Sequence, residues 1–449
     1  MTRWLPALVF ALLVAAPASA VNVKRLDAVT GASVWFAEDH GVPMIALSAS
    51  FPSGSSYDPS GKAGMAALAA AMMDEGAGGL SSDAFQAALA VKGIRLEAKC
   101  DRDYTVVTLV TLSSNAKEAF RLLALALNKP RFDPETVARV KIQMLQEIQA
   151  AREDPAAVAE KGFYSLYFGP YTYGRPVGGD PAGLSSISAQ ELRAFASNHW
   201  VRGGLKIAVA GDAGAAAIAA LLKSTFAGLP ETAPSLPPPP FRAGAPGVHT
   251  LPMDVPQPAV FFGLPGLQRS DKDFIAAMVA NYILGGGDTS RLMTDVRERR
   301  GLTYDVSTEL VPLRRAGLLL GTVATRRDAV RRTIALVRNT MTRFASEGPT
   351  DREVTDAKQY LNGSFPLSFT SDADIAAQLN VFQQEGLPLD YLARRADLIN
   401  AVSSADVRRV ARRLFDPARM TIVIAGTLPT VNTEPANTEP ADTEPADTP

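Results

Sequence analysis

Residues 187–212 read ISAQELRAFASNHWVRGGLKIAVAGD, and residues 402–427 read VSSADVRRVARRLFDPARMTIVIAGT. Each carries a serine able to cap a helix, a helical run, a turn and an apolar strand ending Ala-Gly. The two stretches lie about 215 residues apart, far beyond the period of a solenoid repeat. They therefore mark two domains built on one fold. The elements between them arrive in mixed order, which predicts α+β layers around mostly antiparallel sheet.

Working outward through the first half, 34–37 and 43–51 are strand-like, and Glu38-Asp39-His40-Gly41 between them is a hairpin signal. The Ala/Met-rich run 64–74 and the run 81–91 predict helices. Residues 95–98 and 104–112 predict strands, 116–127 a helix, and Pro134 opens a long helix reaching about residue 152. Tyr164, Tyr167, Phe168, Tyr171 and Tyr173 form an aromatic stretch that reads as a loop. Residues 231–247 hold six prolines and form a semi-rigid linker. The expected boundaries are thus 21–230 for the first domain and 248–429 for the second.

The ends differ in character. Arg3, the apolar run 5–16 and Ala18-Ser19-Ala20 make residues 1–20 a signal peptide, with a mature chain beginning near Val21. A periplasmic protein is expected, or a secreted one. No later apolar run reaches the 18 or so residues of a membrane helix. Residues 430–449 repeat Asn/Asp-Thr-Glu-Pro-Ala, a polar, acidic, Pro-rich composition that predicts disorder. With 45 Lys plus Arg against 46 Asp plus Glu, the chain has no basic field for nucleic acid. Cys100, the only cysteine, cannot form an internal disulfide and reads as a small strand residue.

Chemistry has few places to sit. The three histidines, His40, His199 and His249, are too far apart for any helix to present two to one metal. The chain has neither a phosphate-binding Gly-Lys-Ser loop nor a Gly-x-Ser-x-Gly elbow. Residues 284–306, LGGGDTSRLMTDVRERRGLTYDV, are the richest stretch. Three glycines (Gly285, Gly286, Gly287) precede Asp288, Thr289 and Ser290, which can cap a helix stopped by Gly301. A strand is expected from Leu302. Arg297 and Tyr304 are then a cation and a phenol seven residues apart, held beside one another on rigid elements. Two readings stand: a solvated helix residue and a half-buried strand residue, or a pair gripping a peptide carbonyl or developing oxyanion.

The block around Arg297 and Tyr304, with FPSGSSYDPSGKAGMAAL (51–68), QPAVFFGLPG (257–266) and KQYLNGSFPLSFTSDADIAAQL (358–379), resembles the pitrilysin/insulinase family of zinc peptidases, the inverzincins. The similarity is strongest to short bacterial members and to mitochondrial processing peptidase subunits, and spans about residues 23–428. It implies two homologous α/β-roll domains forming half of a clamshell. Active members carry H-x-x-E-H on the helix that here reads GMAALAAAMM. The resemblance places Ala67 and Ala71 at the two ligand histidines, Ala70 at the general base, and Glu147 at the third ligand. It assigns Arg297 and Tyr304 to substrate binding and oxyanion stabilisation. Gly285–Gly287 fall where the non-catalytic processing-peptidase subunit has its glycine-rich substrate loop, here shorter; a plain tight turn reads equally well.

In some bacteria the resemblance divides these roles between two chains. The expectation is therefore a non-zinc subunit, with no cofactor of its own, whose homologous H-x-x-E-H partner supplies zinc. Unfolded peptides would be its substrates. The competing reading is a catalytically inactive peptide-binding or scaffolding protein on a peptidase fold. A self-sufficient peptidase is disfavoured, because no Ser/His or Cys/His constellation is present.

Overall fold

The computed structural model describes residues 22–232, 244 and 246–428. The expected signal peptide, most of the Pro-rich linker and the acidic tail lie outside the described residues. The first sheet uses β1 (Val23–Arg25), β2 (Ser33–Glu38), β3 (Met44–Phe51), β4 (Arg95–Cys100), β5 (Thr105–Leu112) and β6 (Lys206–Gly211), in the order β1-β2-β6-β3-β5-β4. The second uses β7 (Gly247–Leu251), β8 (Ala259–Pro265), β9 (Val306–Pro312), β10 (Gly317–Ala324) and β11 (Thr421–Ala425), in the order β7-β11-β8-β10-β9. Set β1 aside and the two orders match strand for strand. In each, the last strand inserts between the first two and pairs in parallel only with the first. The sequence repeat is thus a repeat of topology, and both repeated segments supply that inserted strand.

This insertion corrects the expected hairpin. Residues 38–41 do reverse the chain, but β2 and β3 never pair, because β6 lies between them. The local turn signal was real; its closing strand comes from the far end of the half.

Helices of the first half are α1 (Met65–Ala71), α2 (Ser82–Val91), α3 (Ala116–Asn128), α4 (Pro134–Ala151), α5 (Pro155–Phe168), α6 (Pro181–Ser186), α7 (Ala189–His199) and α8 (Ala215–Phe226). Those of the second are α9 (Phe274–Asn281), α10 (Val330–Glu347), α11 (Asp351–Gly363), α12 (Asp372–Gln384), α13 (Tyr391–Asn400) and α14 (Ser404–Leu414). Ser188 and Ser403 each close a capping box, with Glu191 and Asp406 respectively.

Strand periodicity gives each sheet two apolar faces, and the halves exchange helices to cover them. In the first sheet Val34, Phe36, Leu47 and Val209 meet that half's own helices, while Trp35, Ala37, Ala46 and Ala208 meet Ile375, Leu379 and Phe382 of α12. In the second, Val260, Phe262, Leu319 and Ile422 meet their own helices, while Phe261, Leu318, Leu320 and Val423 meet Ala159, Phe163 and Tyr167 of α5. The Asn380 amide donates to the carbonyls of Ser48 (3.0 Å) and Lys206 (2.9 Å), and Gln383 donates to Ile207 (2.9 Å). On the other side Gly263 lets the Phe163 ring approach so closely that a Cβ there would stand 2.4 Å from it.

The aromatic stretch is also corrected. Tyr164, Tyr167 and Phe168 lie on α5, whose N-cap is Asp154, and its rings are buried against the second sheet. A helix buried on several sides shows little amphipathic period, which hides it from a local reading.

Candidate functional site

The first candidate region lies on α1. The helix starts at Gly64, whose backbone is left-handed (φ +95°) and passes 3.0 Å from Gly179 Cα measured from an ideal Cβ. Asp58 caps it: one carboxylate oxygen accepts from Gly64 N (2.7 Å) and the other from Ala66 N (2.8 Å). Burial pushes the Asp58 carboxyl up to about 7, against the backbone N–H groups and the Arg175 guanidinium that favour its charged form. Sequence reasoning missed this residue; its signal was an acid in the loop just ahead of the helix.

Ala67, Ala70 and Ala71, at helical spacing, share one face of α1. They line a cavity of about 430 Å³ together with Glu147 and Met144 of α4, Cys100 of β4, Asp74 and Glu75. The structure therefore brings together all four residues that the resemblance aligned with the family's zinc machinery. The donor set does not fit zinc. Methyl groups offer no lone pair, and one carboxylate cannot replace two imidazoles. Among the described residues no group of three His, Cys, Asp or Glu is arranged to hold a metal. The Cys100 thiol donates to Asp101 O at 3.1 Å, and burial pushes its pKa well up, away from the thiolate a metal needs. Among the described residues no histidine lines the cavity. His40 bonds Asp212 (2.6 Å), whose carboxylate holds its pKa up, and His199 packs on Phe195 and Tyr57.

A larger groove, about 760 Å³, runs on from this cavity, with Met144, Glu147, Val177 and Gly178 bordering both. Its far wall is Leu251, Pro252 and Met253 of the second half.

The second candidate region is the block 284–306. After α9 the chain makes π-helical turns at Tyr282–Gly286 and Met293–Glu298. Ser290 Oγ accepts from Met293 N (3.3 Å), the cap expected of it, and Gly301 (φ +58°) ends the helical run with its N–H on Arg297 O (2.8 Å). The expected strand from Leu302 is corrected: β9 begins at Val306, and Tyr304 sits on the preceding loop. That loop is tied down. Thr303 Oγ1 donates to Ala324 O (2.6 Å), and Thr325 Oγ1 donates to Leu302 O (2.5 Å).

Tyr304 is therefore no half-buried strand residue; it is 86% exposed. Arg297 is exposed too, and among the described residues neither side chain has a hydrogen-bond or ion-pair partner. Among the described residues no hydrogen bond or cation–π contact joins the two, so they stand as two free groups on one anchored segment. Neither lines the cavity on α1.

The anchors were missed from sequence. Asp295, its side chain 4% exposed, accepts from Thr340 Oγ1 (2.7 Å) and pairs with Arg299 (3.1 Å) and Arg343 of α10. Burial pushes the Asp295 carboxyl up, but the Thr340 hydroxyl and the two guanidiniums outweigh it and hold the pKa below the ordinary range. Arg291 forms a fork with Glu353 (2.7 and 2.8 Å) and donates to Gly348 O (2.9 Å).

The glycines have a packing account. A Cβ on Gly285 would stand 2.5 Å from Thr308 Oγ1, and one on Gly287 would stand 2.7 Å from the Tyr282 ring. Gly286 is exposed.

A family model described as "Insulinase (Peptidase family M16)" matches residues 34–180, and one described as "Peptidase M16 inactive domain" matches residues 186–361. The chain is similar to "Non-peptidase homolog YmxG" of Helicobacter pylori, 25% identical over 414 residues, 91% of this chain and 94% of that one. "Uncharacterized zinc protease SCO5738" of Streptomyces coelicolor is 28% identical over 350 residues, 75% of this chain and 74% of that one. Among solved structures, the peptidase M16 inactive domain from Pseudomonas fluorescens superposes with TM-score 0.86 at 29% identity, covering 92% of this chain and all of that one. With two models of this one family together reaching from residue 34 to 361, and the fold shared over 92% of the chain, the chain belongs to the insulinase, or M16, family of peptidases.

Proposed function

We propose that this chain is the non-zinc subunit of a periplasmic heterodimeric metallopeptidase. Its partner would be a homologous chain carrying H-x-x-E-H and the zinc. The observation that carries this reading is the contrast between the two regions. The metal-side positions are stripped to alanine, while Arg297 and Tyr304 are both present, exposed and unpaired on a segment held by Asp295, Thr303 and Thr325. Arg297 would orient an unfolded peptide through its backbone, and the Tyr304 hydroxyl would donate to the oxyanion. That the H. pylori relative is called a non-peptidase homolog fits a chain without hydrolytic activity of its own.

The test is reconstitution of the purified chain with an H-x-x-E-H homologue from the same periplasm, using a quenched-fluorescence peptide. Tyr304→Phe in this chain is expected to lower kcat by about 10²–10³, the usual cost of one oxyanion donor. Equal rates from the zinc chain alone, or with the phenylalanine variant, would end the proposal. An inactive peptide-binding scaffold is the second reading, favoured by the intact cavity and groove. It would replace the first if the native protein ran with no second polypeptide.

A further inference from the structure

The cavity that cannot hold zinc has walls and charge of its own. Ala67, Ala71, Val140, Met144 and Val177 supply apolar surface around about 430 Å³, within the size range of pockets that take small ligands. Three carboxylates line it, and two are already engaged. Glu75 pairs with Arg139 of α4 and accepts from Ser82 Oγ (2.5 Å); Asp74 accepts from Gln86 Nε2 (2.7 Å). Glu147 is exposed and has no hydrogen-bond or ion-pair partner among the described residues. Among the described residues no lysine, arginine or histidine lines the cavity.

We infer that this cavity receives the side chain of a lysine or arginine in an extended peptide, and holds it without cutting. A long aliphatic stem ending in a cation matches an apolar pocket with one free carboxylate at its mouth. The groove beyond Met144 and Val177 carries Arg102, Arg152, Lys161 and Glu160 as well as Ile148, Leu251 and Met253, so the cation belongs in the cavity and the groove's apolar wall accepts an apolar neighbour on the same peptide. The alanines leave room at positions where the resemblance aligns larger side chains. The inference uses residues of the first half and holds whether or not Arg297 and Tyr304 act in a peptidase.

The experiment uses the mature chain alone, with no zinc partner, and fluorescence anisotropy of a labelled, end-capped Ala/Ser peptide with one central lysine and a flanking leucine. The comparison peptides carry norleucine or glutamate in place of the lysine. Lysine should bind about fivefold more tightly than norleucine at low salt, the upper range for an exposed ion pair. The glutamate peptide should bind weakest. High salt and Glu147→Gln should each erase the lysine advantage while leaving norleucine binding in place. Ala67→Leu, which fills the pocket, should weaken both about tenfold with its thermal midpoint retained. Asp356→Asn, a charge loss on α11 of the second half, should change nothing. A lysine preference that survives Glu147→Gln, or no binding of any peptide, would overturn the inference.

Discussion

Asp295→Asn tests whether the segment carrying Arg297 is held by charge. The parent carboxylate is almost fully buried, bonds Thr340 and pairs with Arg299 and Arg343, while its own backbone carbonyl accepts from Arg300 (2.8 Å). Asparagine keeps the shape and one acceptor but turns an N–H toward a guanidinium. A hydrogen bond to a charged group contributes about 1.5–3 kcal/mol. Arg299 and Arg343 reach solvent at 66% and 48% exposure and can be rehydrated, so a loss of about 2 kcal/mol is expected. Urea unfolding at pH 7 reads it as a midpoint shift. The pH dependence gives the sharper result. The folded pKa of Asp295 lies below its unfolded value, so its stabilisation is complete above the unfolded pKa of about 4 and fades as pH falls through the folded one. The difference between parent and variant should therefore shrink steadily in acid. A gap as wide at pH 3 as at pH 7, or a shift under about 0.5 kcal/mol at pH 7, would show that packing and not charge fixes this turn.

Gly285→Ala drives a methyl group into Thr308, whose hydroxyl donates to Asn281 (2.8 Å), and should cost about 1–3 kcal/mol with peptide affinity intact. Lost peptide binding without a shift in unfolding midpoint would instead assign the glycines to substrate. Phe163→Ala removes a fully buried ring between α5 and the second sheet and should cost about 3–5 kcal/mol. Calorimetry should show both halves shifting together; a shift confined to one transition would contradict the exchange of helices. Asp58 has a folded pKa raised to about 7, so its contribution is greatest in acid and declines as pH rises from about 4 through about 7. Asp58→Asn, neutral throughout, should flatten that part of the stability–pH profile, and an unchanged slope would exclude Asp58 as its source.

Much of the fold was readable because its signals are local. Ser188, Ser403 and Pro134 start helices where their chemistry predicts, and the duplicated strand ending Ala-Gly announced two like sheets. What could not be read depends on distant partners. Nothing near residues 38–41 reveals that β6 will come between β2 and β3, and nothing near Tyr164 reveals that a sheet from the other half will bury it. The site divides in the same way. The cluster of Ala67, Ala70, Ala71 and Glu147 came from motif alignment, and the structure closes it into one cavity. Asp58, Asp295 and Thr303, which hold the candidate residues in place, act through backbone and cross-element bonds that leave no motif.

The traded helices α5 and α12 have a bearing on how such a chain can be handled. Neither half, made alone, could shield the outer side of its own sheet; each would present a sticky apolar slab. One half by itself would need to pair with a second copy and swap that helix with its twin to cover the slab. By the same logic, severing the polypeptide between 232 and 246 should yield two fragments that stay together and copurify.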